Sequence, residues 1–265
     1  MAARVRLRRP ALRSLTGRRR VLAVVAGVVF AAAGLAACNI PPPSQPPKVI
    51  LYGDSLSVES QQYFKDRLQQ NGIAQAIVRA GIGTAICDWF DVMEADVQNI
   101  RPTAVLIEFA GNPAPACVGG QDPLTKYRED AQHVVGIFNS QGIHTYFVAP
   151  PKQVPVGSAG TPEVPDPWRE MYFQVALDNS TRFADAGHAL FNFGLGQFTF
   201  TLPCNGPTEP GCVNGNVQVR DPTDGLHFCP SGARPLPCAG FDGYVPGAWR
   251  FGTSMASIVA SQLGF

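Results

Sequence analysis

From Lys48 onward, short apolar runs alternate with longer stretches in which apolar side chains recur at helical spacing. Val49-Ile50-Leu51-Tyr52, Ala76-Ile77-Val78, Ala104-Val105-Leu106-Ile107-Glu108-Phe109 and Thr145-Tyr146-Phe147-Val148 read as strands, and Ala189-Leu190-Phe191 as a fifth. Between them, Tyr63, Phe64 and Leu68 mark a helix closed by Asn71-Gly72. Trp89, Val92, Met93 and Ile100 share one face of a second helix started by Asp88, and Tyr127, Ala131, Val134, Val135 and Phe138 mark a third. Trp168 to Ala184 reads as helical, and Trp249, Ile258, Val259 and Leu263 fit a closing helix whose start is weakened by Gly247 and Gly252. Strands alternating with helices in this way predict an α/β domain with a parallel sheet. Asn192 to Thr223, rich in glycine, proline and asparagine, reads as a loop insertion stapled by a disulfide.

The first 37 residues follow another pattern: eight arginines and no acid, ending in an uncharged apolar run from Val21 to Ala37. This is a targeting segment, and Leu35-Ala36-Ala37-Cys38 looks like the lipobox of bacterial lipoproteins, with Cys38 the lipidated first mature residue. The alternative is an uncleaved signal anchor, since 17 apolar residues lie at the lower limit for spanning a bilayer. Arg18-Arg19-Arg20 leaves general and twin-arginine export both open. The chain therefore divides into a signal peptide over 1–37, a Pro-rich linker over 38–47 and a folded domain over 48–265. Either reading of the terminus puts that domain outside the cytoplasm, anchored at the outer face of the bacterial membrane if Cys38 is lipidated.

Charge changes meaning once this segment is set aside. The whole chain carries a formal +1, but without the eight leading arginines 13 basic residues face 20 acidic ones, a net of −7. That sign excludes an electrostatic footprint for nucleic acid. With Cys38 used by the lipobox, six cysteines remain. The short intervals favour Cys204 with Cys212 and Cys229 with Cys238, leaving Cys87 with Cys117. No Cys-x-x-Cys pair occurs, so a zinc site is not expected.

Gly53-Asp54-Ser55-Leu56-Ser57 directly follows the first strand, where a parallel sheet presents its ligands, and a helix starting there would aim its N–H groups at developing negative charge. A serine hydroxyl needs an imidazole to take its proton, and that imidazole needs a carboxylate; Asp224-Gly225-Leu226-His227 supplies both from one turn. The other histidines, His133, His144 and His188, lie in or beside core elements and read as structural. Gly111-Asn112 after the third strand and Gly81-Ile82-Gly83 after the second are positioned to donate to an oxyanion, although both are also turn signals.

In this order the segments resemble the SGNH (GDSL-type) hydrolases, over about residues 48 to 263. The resemblance implies a three-layer, flavodoxin-like α/β/α sandwich and a serine esterase with no cofactor and no metal. In it Ser55 is the nucleophile, His227 the base and acid, and Asp224 its orienting partner. The oxyanion hole comprises the Ser55 N–H, a glycine N–H and the Asn112 amide. The second block lacks the asparagine and serine seen in many members, reading Arg79-Ala80-Gly81-Ile82-Gly83, and leaves Gly81 and Gly83 both open, with Gly83 preferred. In the third block Pro113 stands after Asn112 where an acid is usual. The expected substrate is an ester, an acylated envelope glycan or lipid among the candidates, cleaved through an acyl-serine intermediate with water or a sugar hydroxyl as acceptor. The rival reading is a degenerate domain that binds glycans or serves as a scaffold. Gly252-Thr253-Ser254-Met255-Ala256-Ser257 resembles the serine motif of subtilisin-type proteases, but no histidine here is followed by glycine, so Ser254 is expected on a structural helix.

Overall fold

The computed structural model describes residues 45–229 and 243–264. The signal peptide, most of the linker, Cys38 and Cys238 lie outside the described residues. The compact unit spans Pro46–Phe265. Its central sheet contains β1 (Lys48–Gly53), β2 (Gln75–Ala80), β3 (Ala104–Glu108), β4 (His144–Val148) and β6 (Arg182–Ala184) in the order β2-β1-β3-β4-β6, and every pairing is parallel. Around it stand α1 (Ser55–Gln69), α2 (Phe90–Asn99), α3 (Pro123–Asn139), α4 (Pro167–Asp178) and α5 (Pro246–Gln262).

Because successive strand residues point to opposite faces, each strand feeds two cores. Val49, Leu51, Leu106, Tyr146 and Val148 pack with Phe64 and Leu68 of α1 and Phe251, Met255 and Val259 of α5. Ile50, Tyr52, Val105, Ile107 and Phe147 pack with α2, α3 and α4 through Met93, Tyr127, Val134 and Tyr172. The molecule is thus a three-layer α/β/α sandwich, as expected. Gly252 does not weaken α5. A Cβ there would lie 2.6 Å from Ser60 O of α1, so the missing side chain lets two helices pack backbone to backbone. Among the described residues no helix is long and apolar enough to cross a membrane.

The fifth strand is displaced from its expected place. The helix expected to run to Ala184 stops at Asp178, the chain turns through Asn179 and Ser180, the latter at φ 52°, and Arg182–Ala184 joins the sheet beside β4. Ala189 and Leu190 instead lie in a 3-10 turn, Ala186–Leu190, and Phe191 starts a two-residue strand. A three-residue edge strand is too short to show periodicity; only its pairing with β4 reveals it. The expected loop insertion contributes strands to two small antiparallel sheets. β5 (Thr161–Pro162), β8 (Gln197–Phe198) and β7 (Phe191–Asn192) form one; β9 (Thr201–Pro203) and β10 (Asn216–Gln218) form the other.

Candidate active site

Strand order reverses at β1, whose neighbours are β2 on one side and β3 on the other, and such a switch point opens a crevice at the strands' carboxyl ends. Ser55, the first residue of α1, stands there. The turn into the helix requires Gly53, since a Cβ at that position would lie 2.0 Å from Ser57 Oγ and 2.8 Å from Glu108 O. Asp54 caps the helix by accepting the Leu56 N–H on Oδ1 at 3.0 Å.

His227, 172 residues away in sequence, brings Nε2 to 2.9 Å from Ser55 Oγ. Its Nδ1 lies 2.8 Å from Asp224 Oδ2. With the ring proton on Nδ1 donated to that carboxylate, Nε2 presents a lone pair to the serine hydroxyl. The three-residue spacing has a local cause: Asp224 Oδ1 accepts the Leu226 and His227 N–H groups at 2.9 and 3.0 Å, so one oxygen closes the turn while the other orients the ring. The turn is held from outside by the Val154 N–H donating to Gly225 O at 2.9 Å and by Gln153 Nε2 donating to Asp224 O at 2.8 Å. Ser55 is 7% exposed and the His227 side chain 20%, so the pair is sheltered yet within reach of a ligand.

Asn112 lies on the opposite rim. Its Nδ2 donates to Thr84 O at 3.1 Å and to Asp54 Oδ2 at 3.3 Å. Gly111 before it is at φ +92°, and a Cβ there would meet the Trp168 ring at 2.2 Å, so no other residue fits. Tyr127 Oη secures the segment by donating to Asn112 O at 3.1 Å. Asp54 Oδ2 also accepts the Ala110 N–H at 2.7 Å. One buried carboxyl thereby joins the helix start, the loop after β3 and the Asn112 amide, a role that sequence reading did not assign to Asp54. Burial raises the Asp54 pKa, against the pull of the Ala110 and Leu56 N–H groups and of His227. Glu108, which accepts from Ser57 Oγ at 2.6 Å, is raised further, by burial and then by the nearby Asp54 charge.

Of the two candidate glycines, Gly81 has its N–H committed to Gly53 O at 3.1 Å, continuing the β1–β2 ladder. Gly83 follows in the same turn, at φ +70° with open space where a Cβ would stand. Arg79 points elsewhere, clasping Asp96 of α2 with Nε at 3.0 Å and Nη2 at 3.1 Å. Cys87–Cys117 and Cys204–Cys212 are bonded as expected, the first joining the segments after β2 and β3. Cys229 is disulfide-bonded as well.

His133 packs against Phe90, His188 against Phe191 and Phe193, and His144 opens β4; none joins the site. Ser254 lies within α5. Arg220, which no sequence signal singles out, is fully buried, donates to Gly225 O at 3.4 Å and lies over the Phe198 ring, so it supports the base loop from beneath. Among the described residues no group of three or more His, Cys, Asp or Glu side chains is placed to hold a metal ion.

No protein-family model and no curated protein matches the chain in sequence. Solved structures do. The chain is similar to a mutant acetyl-xylooligosaccharide esterase from Geobacillus stearothermophilus, with 16% identity over 83% of this chain and 94% of that one and a TM-score of 0.52. A putative acylhydrolase from Bacteroides fragilis matches with 15% identity over 87% and 95% of the two chains and a TM-score of 0.51. A lipase/acylhydrolase from Enterococcus faecalis matches with 15% identity over 82% and 96% and a TM-score of 0.50. At such identities the likeness establishes architecture: this chain has an α/β fold with a five-stranded parallel sheet between helices, the fold on which those hydrolases are built.

Proposed function

We propose that the chain is a serine esterase of the SGNH type that cleaves a short-chain carboxylic ester through an acyl-serine intermediate. The observation that carries this reading is the Ser55–His227–Asp224 relay, with contacts of 2.9 and 2.8 Å closing across 172 residues of sequence. His227 Nε2 takes the Ser55 proton as Oγ attacks the ester carbonyl. The oxyanion is received by the Ser55 N–H, which as the first helical N–H lacks an intrahelical acceptor, and by the Gly83 N–H and the Asn112 amide. To donate there, Asn112 exchanges one of its present contacts for the oxyanion. The imidazolium then protonates the leaving alcohol, and His227 activates water or a sugar hydroxyl to release the acyl group. Asp224 keeps the ring in the productive tautomer and balances its charge.

A cleft of about 210 Å³ opens between the loop after β3 and the base loop, with Ala110, Pro150, Trp168 and Leu226 on its apolar side and Lys152, Gln153 and Asp166 on its polar side. It is smaller than the ~300–1,000 Å³ of sites that bury drug-sized ligands. Trp168 cannot easily yield, because Tyr127 meets it edge-on at 5.3 Å and Gly111 lies against its ring. This supports a short acyl group. One similar structure, an acetyl-xylooligosaccharide esterase, agrees with acylated glycans as the substrate class. In the test, a fluorophosphonate probe should label Ser55, and among esters of one alcohol with acyl chains of graded length the shorter should give the higher kcat/KM. A folded chain that is neither labelled nor active would leave the binding-scaffold reading; one active mainly on long chains would overturn the acyl assignment.

The same proposal places the domain outside the cytoplasm, tethered by a lipid on Cys38. The disulfides support an oxidising compartment. Replacing Cys38 with serine should release the protein from membranes, whereas membrane retention by that variant would favour an uncleaved anchor.

A further inference from the structure

The turn from Asp224 to His227 fixes carboxylate and ring relative to each other, but nothing in it fixes the ring relative to Ser55, which belongs to a different element. A contact from α1 does so. Glu59 lies four residues beyond Ser55, on the same face of the helix and about 6 Å along its axis. It is 2% exposed. Its Oε2 accepts the Phe228 N–H at 2.5 Å and the Cys229 N–H at 3.2 Å, the two backbone donors that immediately follow His227.

We infer that Glu59 is a positioning residue for the base, tying the base loop to the helix that carries the nucleophile. The inference rests on the triad reading above. A buried carboxylate is costly to keep unless hydrogen-bonded, and charge-assisted bonds from two successive N–H groups are short and directional. They act one residue beyond the imidazole, so their length sets how far His227 stands from Ser55. Local turn bonds cannot compensate, since Asp224, Gly225 and His227 move together: the Asp221 N–H donates to His227 O at 2.7 Å, and the Gly225 N–H to Asp221 O at 2.8 Å. Cys229, whose N–H is the second donor, is itself disulfide-bonded. Displacement of a base by about 1 Å is enough to cost on the order of 10²-fold in rate.

The test compares two conservative variants in the full chain. Glu59→Asp keeps the charge but withdraws the carboxylate by one methylene; Glu59→Gln keeps the reach and one acceptor oxygen but loses the charge. Wild-type turnover of a short-acyl ester is measured first, so that an inactive wild type counts against the esterase reading and leaves the tether aside. With an active wild type, Glu59→Asp should lower kcat by about 10–10²-fold with KM within a few-fold, slow fluorophosphonate labelling in parallel, and leave near-ultraviolet circular dichroism unchanged. Glu59→Gln should recover most of the loss. A purely structural carboxylate would instead lower the melting temperature and leave kcat of the folded fraction intact. Folded Glu59→Asp and Glu59→Gln proteins that both keep kcat within twofold overturn the inference. If Glu59→Asp does not fold, Glu59→Gln decides alone: a kcat more than twofold below wild type with labelling slowed in parallel in the folded protein supports the tether, and kcat and labelling within twofold of wild type overturn it.

Discussion

Replacing Ser55 with alanine is expected to reduce kcat for a short-acyl ester by at least about 10⁴-fold, and replacing His227 with alanine by a similar factor. The two groups meet at 2.9 Å and share one proton in the attacking step, so losing either removes the activated nucleophile, and losing both should cost little more than losing one. The residual rate in each variant measures what the oxyanion donors and the cleft contribute alone. Neither substitution disturbs the packing of the sheet, because Ser55 faces the crevice, the His227 N–H is held by Asp224 and the Phe228 N–H that follows it by Glu59. Near-ultraviolet circular dichroism should therefore match the wild type. Turnover by Ser55→Ala within a few-fold of the parent would show that the hydroxyl is not the nucleophile.

Asn112→Ala and Asp54→Asn should each lower kcat by about 10²–10³-fold, the usual loss for one oxyanion donor, with KM changed far less. The first removes the amide outright. The second removes what aims it, since Asp54 Oδ2 accepts both Asn112 Nδ2 at 3.3 Å and the Ala110 N–H at 2.7 Å, while Oδ1 takes the Leu56 N–H at 3.0 Å. An asparagine at 54 must turn its NH₂ toward one of those donors whichever way it is placed, and a buried donor left without an acceptor costs about 1–3 kcal/mol. Because the carboxyl acts through the amide, the double variant should fall to the level of the worse single variant rather than to the product of the two. A fully multiplicative double variant would mean that Asp54 and Asn112 work independently, and an unchanged kcat in Asn112→Ala would place the donor elsewhere.

Much of this site is legible in the chain itself. Val49 to Tyr52 reads as a strand without its partners, the Gly53-Asp54-Ser55 that follows declares the turn, and Asp224 and His227 stand at the spacing at which one carboxylate can close a turn and orient a ring. These are local facts, set by the period of side chains along a strand and by the reach of a carboxylate across three residues. The identity of the core helices follows in the same way from 3.6-residue periodicity, and the Cys204–Cys212 pair from its short interval. What only the tertiary structure decided are the relations between segments far apart in sequence. Arg182–Ala184 is a strand because β4 pairs with it, whereas Ala189-Leu190 lies in a 3-10 turn. Asp54 joins the helix start to the Asn112 segment only because the loop after β3 arrives to donate to it, and Glu59 ties the base loop only because Phe228 and Cys229 are laid against it. Gly252 reads as a helix defect until α1 packs on it. Each of these residues owes its role to a partner brought by folding, and the strength of such a contact depends on burial and distance, which side-chain chemistry and spacing along the chain do not encode.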